Sequence, residues 1–231
     1  MQEKQEKLFV ISLGGSIMVP DEIDEQFLKK FKAFILRKVA TGYKFIIITG
    51  GGKTCRKYNK AAFNVAKASQ LQQDWLGIEV TKLNALLLKT ILGNKANPII
   101  LDKRGKVKSF GKEPIIIGCG WEPGCSTDLD TVQIALDFNI KNIVNLSNQD
   151  YVYTADPEKI KSAKPLKSLT WQEFFKVSPK KRTPGMNTPF DPTASKLAQK
   201  NGLRVIMANG KNLANLEKIM AGKLFIGTII H

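Results

Sequence analysis

The chain has 231 residues, 43% of them hydrophobic, and a formal net charge of +16, enough for one large α/β domain or two small ones. No apolar run approaches the roughly 20 residues that span a bilayer, the opening MQEKQEKLFV lacks an apolar signal region, and three cysteines without a CxxC pair indicate neither a disulfide framework nor a zinc site. The only histidine is His231, which excludes Ser-His triads, histidine-metal centres and histidine bases.

The expected compartment is therefore the cytoplasm, with no membrane partner. The basic balance suits anionic ligands. The lysines are spread along the whole chain rather than gathered in a stripe with aromatics, which favours a solvated surface over a specific nucleic-acid face.

In chain order, LFVISL reads as a strand and residues 24–40 as a helix of apolar 3.6-residue period. KFIIIT is a second strand, followed by glycines and a helix. PIIL (98–101) and EPIIIG (113–118) read as strands on either side of a polar hairpin or loop, DKRGKVKSFGK (102–112). TDLDTVQIALDF is helical, and NIVNL and RVIMA are strands. NLANLEKIMAG is a helix capped by Asn212 and ended by Gly222, before a last strand LFIGTII. Strands apolar on both faces, separated by helices, predict a three-layer α/β/α sandwich with a mostly parallel central sheet. Residues 178–192, rich in Pro and Gly, read as a mobile flap.

Four loops follow strands and carry the polar chemistry. The first, LGGSIM (13–18), offers backbone N–H groups at Gly14 and Gly15 and the hydroxyl of Ser16. The second, TGGGKTCRK (49–57), is not a Walker loop, since GxxxxGK[ST] needs a glycine at position 47, which is Ile47. Its glycines still open a helix whose N-terminus attracts anions, with Arg56 one turn on to grip a phosphate; solvated charge is the alternative for Lys53, Arg56 and Lys57. In the third, GCGWEPGCSTD (118–128), Ser126 and Thr127 stand at an N-cap and Asp128 in the first turn. The fourth, NLSNQDYVYTADPEK (145–159), carries Ser147, Asn148, Asp150 and a stacking ring at Tyr153. In open α/β sheets ligands bind beyond the carboxyl ends of the strands, where all four loops lie.

Taken together, these loops resemble the amino acid kinase family, most closely the UMP kinases of its archaeal-type branch. The resemblance spans residues 10–229 in the family's order: SLGGS, GGGKTCRKY (50–58), DWLGIEVTKLNALLL (74–88), PGCSTD (123–128), VYTADP (152–157) and FDPTASK (190–196). It implies ATP-dependent phosphorylation of UMP in pyrimidine nucleotide biosynthesis, with Mg²⁺ carried mainly by phosphates and water, no metal site of the protein's own, and a homo-oligomer, a dimer or a hexamer of dimers.

Residue by residue, the resemblance implies that Gly14, Gly15 and Ser16 hold the phosphates between donor and acceptor. Gly51, Gly52 and Arg56 hold the acceptor phosphate, Asp74 with Gly77 the ribose hydroxyls, and Ser126 and Thr127 contact the acceptor. Ser147, Asn148, Asp150, Tyr153, Asp156 and Pro157 fall at the ATP site. Residues up to about 135 become the acceptor half of one domain and residues 136–231 the ATP half.

Three positions depart from the pattern. A strand lysine two residues before the Gly-Gly pair is Ser12 here, which leaves Lys53 as the candidate to supply its charge. Tyr151 stands where a glycine is usual. Glu122 and Cys125 replace histidines of the third loop. The alternatives are a same-fold kinase for isopentenyl phosphate or an amino-acid carboxylate, and a non-catalytic nucleotide or oxyanion binder.

Overall fold

Isoleucine runs dictate the centre of the molecule. Ile46, Ile47, Ile48, Ile115, Ile116 and Ile117 are all fully buried, as β-branched side chains in a sheet covered on both faces must be. The computed structural model describes residues 7–178 and 188–231. Its strands are β1 (Leu8–Leu13), β2 (Lys44–Thr49), β3 (Ile115–Gly118), β4 (Asn142–Ser147), β5 (Val152–Tyr153), β6 (Pro165–Leu166), β7 (Ser168–Leu169), β8 (Arg204–Asn209) and β9 (Thr228–Ile230). Seven pair in the order β3-β2-β1-β4-β8-β9-β7, and β5 and β6 form a separate antiparallel pair. The first five run parallel, and β9 turns antiparallel against β8.

Alternation along each strand divides the core into two layers. Phe9, Ile11, Leu13, Phe45 and Ile47 face one side, under α2 (Glu25–Ala40), α4 (Gln70–Leu92) and α8 (Leu213–Met220). Val10, Ile46, Ile48, Ile143 and Val205 face the other, under α5 (Thr127–Asp137), α6 (Trp171–Val177) and α7 (Pro192–Lys200). Burying one such side chain contributes about 1.5–3 kcal/mol. The result is the expected three-layer sandwich.

Caps set where the helices begin. Asp24 accepts from Phe27 N–H, Ser126 from Leu129 N–H and Asn212 from Asn215 N–H, and Asp191 caps α7 with Pro192 in its first turn. The segment Trp171–Val177, which sequence periodicity had not singled out, is fixed as a helix by a Thr170–Glu173 capping box.

Two expected strands shrink. Residues 98–101 make isolated bridges at their margins, Ala96 with Ile115 and Leu101 with Gly118, because Pro98 has no N–H to donate and Asn97 Oδ1 accepts the Ile99 N–H instead. In the last strand only Thr228–Ile230 joins the sheet, since the side chain of Asn215 takes both backbone groups of Ile226 at 2.6 and 2.8 Å. Leu224 is left 94% exposed. Residues 102–112 form a strandless loop, as expected. Most of the segment read as a flap lies outside the described residues.

The sheet reverses its winding between β1 and β4: the chain moves outward from β1 through β2 to β3, then returns to β4 on the other side of β1. Ligand crevices in open α/β sheets form at such a switch point.

Candidate functional site

The first two loops meet glycine to glycine. A Cβ on Gly15 would stand 2.4 Å from the Gly50 carbonyl oxygen, and one on Gly52 would stand 2.4 Å from the Gly15 carbonyl carbon. Gly52 also holds φ +62, a left-handed conformation that L side chains resist. Only bare backbone can pack this closely. The contact sets α1 (Gly15–Met18) beside the N-terminus of α3 (Gly52–Ala66), where the first amides have no intrahelical acceptor. Arg56 closes the join by donating from Nη2 to Ser16 Oγ at 3.3 Å.

Helix α4 ties these loops to the third. Asn84 Nδ2 donates to the Gly50 carbonyl at 2.8 Å, Thr49 Oγ1 donates to the Thr81 carbonyl at 3.0 Å, and Thr81 Oγ1 accepts the Gly120 N–H at 3.0 Å. About two turns nearer its start than Thr81, Asp74 Oδ2 accepts the Gly124 N–H at 2.8 Å. Thr81 and Asn84 are buried polar residues on an otherwise apolar helix face, and their partners explain them. Neither was nominated from the sequence.

A cavity of about 250 Å³ opens between α3, α4 and the third loop. Its wall brings together all seven residues expected around an acceptor: Gly51, Gly52, Arg56, Asp74, Gly77, Ser126 and Thr127. Cys55 and Cys125 also line it, and burial pushes the Cys55 thiol up, away from the reactive thiolate. Ser126 Oγ accepts from Leu129 N–H, which leaves its hydroxyl hydrogen to donate.

Asp128 stands at the back of this cavity, at the β1/β4 switch point. Its Oδ1 accepts from Ser12 Oγ at 3.2 Å and from Asn145 Nδ2 at 2.9 Å, and its Oδ2 accepts the Asp191 N–H at 3.1 Å. It thereby joins β1, β4 and the start of α7. Burial pushes its carboxyl up to about 6, against the bond from the Asp191 N–H and assisted by the nearby Asp191 charge. A serine and an asparagine within apolar strand sequences are the signal that marks this cluster.

A second cavity of about 240 Å³ lies beyond the ends of β4 and β8. Ser147, Asn148, Tyr153, Asp156 and Pro157, five of the ATP-site candidates, line it, and so does Tyr151. Ser147 Oγ accepts the Gln149 N–H at 3.2 Å, turning the chain at the strand end. Asp156 accepts from Glu158 N–H at 3.0 Å and pairs with Lys159 at 3.4 Å. Thr188 borders both cavities, which are therefore neighbours along the carboxyl edge of the sheet.

Five candidate residues, Gly14, Gly15, Ser16, Lys53 and Asp150, stand apart from these walls, Ser16 being held by Arg56. The Gly14 N–H donates to the Leu146 carbonyl at 2.9 Å, and Gly14 and Gly15 form the floor between the loops. Asp150 is exposed outside the second cavity, close enough to help burial raise the Tyr153 hydroxyl. Lys53 turns outward to pair with Asp21 at 3.0 Å. Among the described residues, Arg56 is the one cationic side chain lining either cavity. No cluster of three His, Cys, Asp or Glu side chains among them could hold a metal.

A model of the amino acid kinase family matches residues 7–209. The uridylate kinase of Pyrococcus abyssi is 32% identical over 218 residues, 93% of this chain and 95% of its own. That of Methanobrevibacter smithii is 33% identical over 220 residues, with the same shares. The crystal structure of uridylate kinase from Archaeoglobus fulgidus superposes with a TM-score of 0.82 at 28% identity, covering 98% of this chain and all of the other. The UMP kinase of Bacillus anthracis, at 22% identity and a TM-score of 0.77, shares the fold.

Proposed function

The chain belongs to the amino acid kinase family, and from that premise we propose that it is a UMP kinase, transferring the γ-phosphoryl group of Mg·ATP to UMP and yielding UDP and ADP. The observation that carries this reading is that all seven acceptor candidates line one cavity while Ser147, Asn148, Tyr153, Asp156 and Pro157 line a second, neighbouring one.

In this reading the α3 N-terminus and Arg56 hold the UMP phosphate, and Asp74 accepts from the ribose hydroxyls. The first-loop glycines lie between the two nucleotides. A UMP phosphate oxygen attacks the γ-phosphorus in line, and the ADP oxygen leaves. Both are already anions, so no protein base is needed, and catalysis rests on alignment and neutralised charge. The absence of a metal-binding cluster among the described residues is compatible with Mg²⁺ arriving as part of its nucleotide substrate. Residues up to about 135 supply most of the acceptor wall and the remainder the donor wall, the two halves of one domain.

The working form is a homo-oligomer. No residue of α3 is buried, and its Tyr58, Phe63 and Val65 lie exposed beside Leu71, Trp75, Leu83 and Leu86 of α4. Apolar surface of this kind marks an interface.

A second reading, a non-catalytic nucleotide binder, is favoured by Ser12 and by the outward pairing of Lys53 with Asp21. Calorimetric titration tests the assignment of both cavities. UMP and a non-hydrolysable ATP analogue should each bind with unit stoichiometry and without mutual exclusion. Competition between them for one site would overturn it.

A further inference from the structure

We infer that Tyr151, acting with Tyr153, selects a purine base in the phosphate donor. The inference rests on the assignment of the second cavity to that donor. Val152 lies between the two tyrosines, is 1% exposed, and donates its N–H to Thr228 Oγ1 at 2.9 Å. An extended segment sends alternate side chains to opposite sides. With Val152 anchored inward, both tyrosines line the cavity. Pairing of Val152 with Leu166 and of Tyr153 with Pro165 holds the backbone between them.

The two rings form a corner, with centroids 6.2 Å apart and planes at 86°. A flat heterocycle stacked on one ring meets the other edge to face only if it extends far enough across the corner, and both arrangements are favourable for aromatic pairs. A bicyclic purine is wide enough to use both walls at once. A single pyrimidine ring covers one. Met207 and Pro157 add apolar surface to the same cavity wall.

Tyr151 occupies a position where the resemblance places glycine, yet it carries no backbone strain. Among the described residues Lys67 and Asn139 are the non-glycine residues with positive φ. The substitution therefore adds a ring without breaking a turn.

Calorimetry on the full chain tests the inference, with non-hydrolysable ATP and CTP analogues as probes and wild type beside Tyr151→Ala and Tyr151→Phe. The alanine variant should bind the ATP analogue about tenfold more weakly, with the CTP analogue changed by less than about threefold. UMP affinity should not move, and the phenylalanine variant should behave as wild type. Should the alanine variant fail to fold, Tyr151→Leu, which keeps the bulk without the ring, should show the same selective loss. Unchanged binding of the ATP analogue, or equal loss of both analogues, would overturn the role of Tyr151 alone. A wild-type chain that binds neither analogue would remove the donor assignment together with it.

Discussion

The Ser12 hydroxyl donates to Asp128 across 3.2 Å, tying the first strand to the start of α5 at the switch point of the sheet. Ser12 is 4% exposed and sits where many members of the family place a lysine. The enclosed carboxylate is thus held by neutral donors, Ser12, Asn145 and the Asp191 N–H. Burial raises it from 3.8 to about 6. In that window the folded protein keeps a proton the unfolded chain has released, so this group makes stability fall as pH rises, by on the order of 3 kcal/mol in all. In Asp128→Asn the urea midpoint, plotted against pH, should lose this downward limb. A slope equal to that of wild type would assign the titration elsewhere.

Glu217 behaves in the opposite sense. Hydrogen bonds from Arg37 and Lys38 hold its carboxyl down to about 2 from 4.5. Its stabilising effect is present above 4.5 and is lost as pH falls toward 2. The carboxylate is 39% exposed, so Glu217→Gln should cost less than about 1 kcal/mol at neutral pH. The difference from wild type should vanish in molar salt.

Any side chain at Gly52 is strained. Positive φ and the 2.4 Å approach to Gly15 act together, so Gly52→Ala should destabilise the fold by about 2 kcal/mol or more. UMP binding should fail before ATP binding does. Thermal melting with each nucleotide present checks both points.

Asn84 is a structural clamp on the second glycine loop. Asn84→Ala strands the buried Gly50 carbonyl, at a cost of about 1–3 kcal/mol. The loss is to be read as a lowered urea midpoint, with UMP affinity falling alongside it.

Much of this site is legible in the sequence because its glycines, caps and hydroxyls lie in contiguous loops directly after strands. Spacing alone separates residues 49–57 from a Walker loop, and the cap residues Ser126 and Asn212 stand where expected. What escapes a linear reading is long-range pairing. Thr81 and Asn84 look like polar interruptions of a helix until Gly120 and Gly50 are brought against them. Asn145 and Asp191 acquire meaning only through Asp128. Lys53, a reasonable source of positive charge by its position, is claimed by Asp21, which lies 32 residues away. PIIL resembles a strand in composition, but Pro98 removes a donor the ladder requires.

The proposed homo-oligomer would bury the exposed apolar stripe on α4. Leu83 is 63% exposed, and Leu83→Glu should shift the chain to monomers in light scattering while its far-UV circular dichroism stays unchanged. A wild-type chain already monomeric at micromolar concentration would contradict the proposed interface.

Arg56 is the one cation that lines the first cavity among the described residues, and in the proposed assignment Arg56→Ala should weaken UMP binding about tenfold or more while ATP-analogue binding stays near wild type. Equal affinities in mutant and wild type would remove its assigned role.

The acceptor itself is tested most directly by coupled ADP release with ATP against UMP, CMP, isopentenyl phosphate, glutamate and aspartate in parallel. The two-cavity account predicts rapid ADP release with UMP, matched mole for mole by UDP. Turnover with another acceptor and none with UMP, or ATP binding without phosphorylation of any of the five, would contradict it.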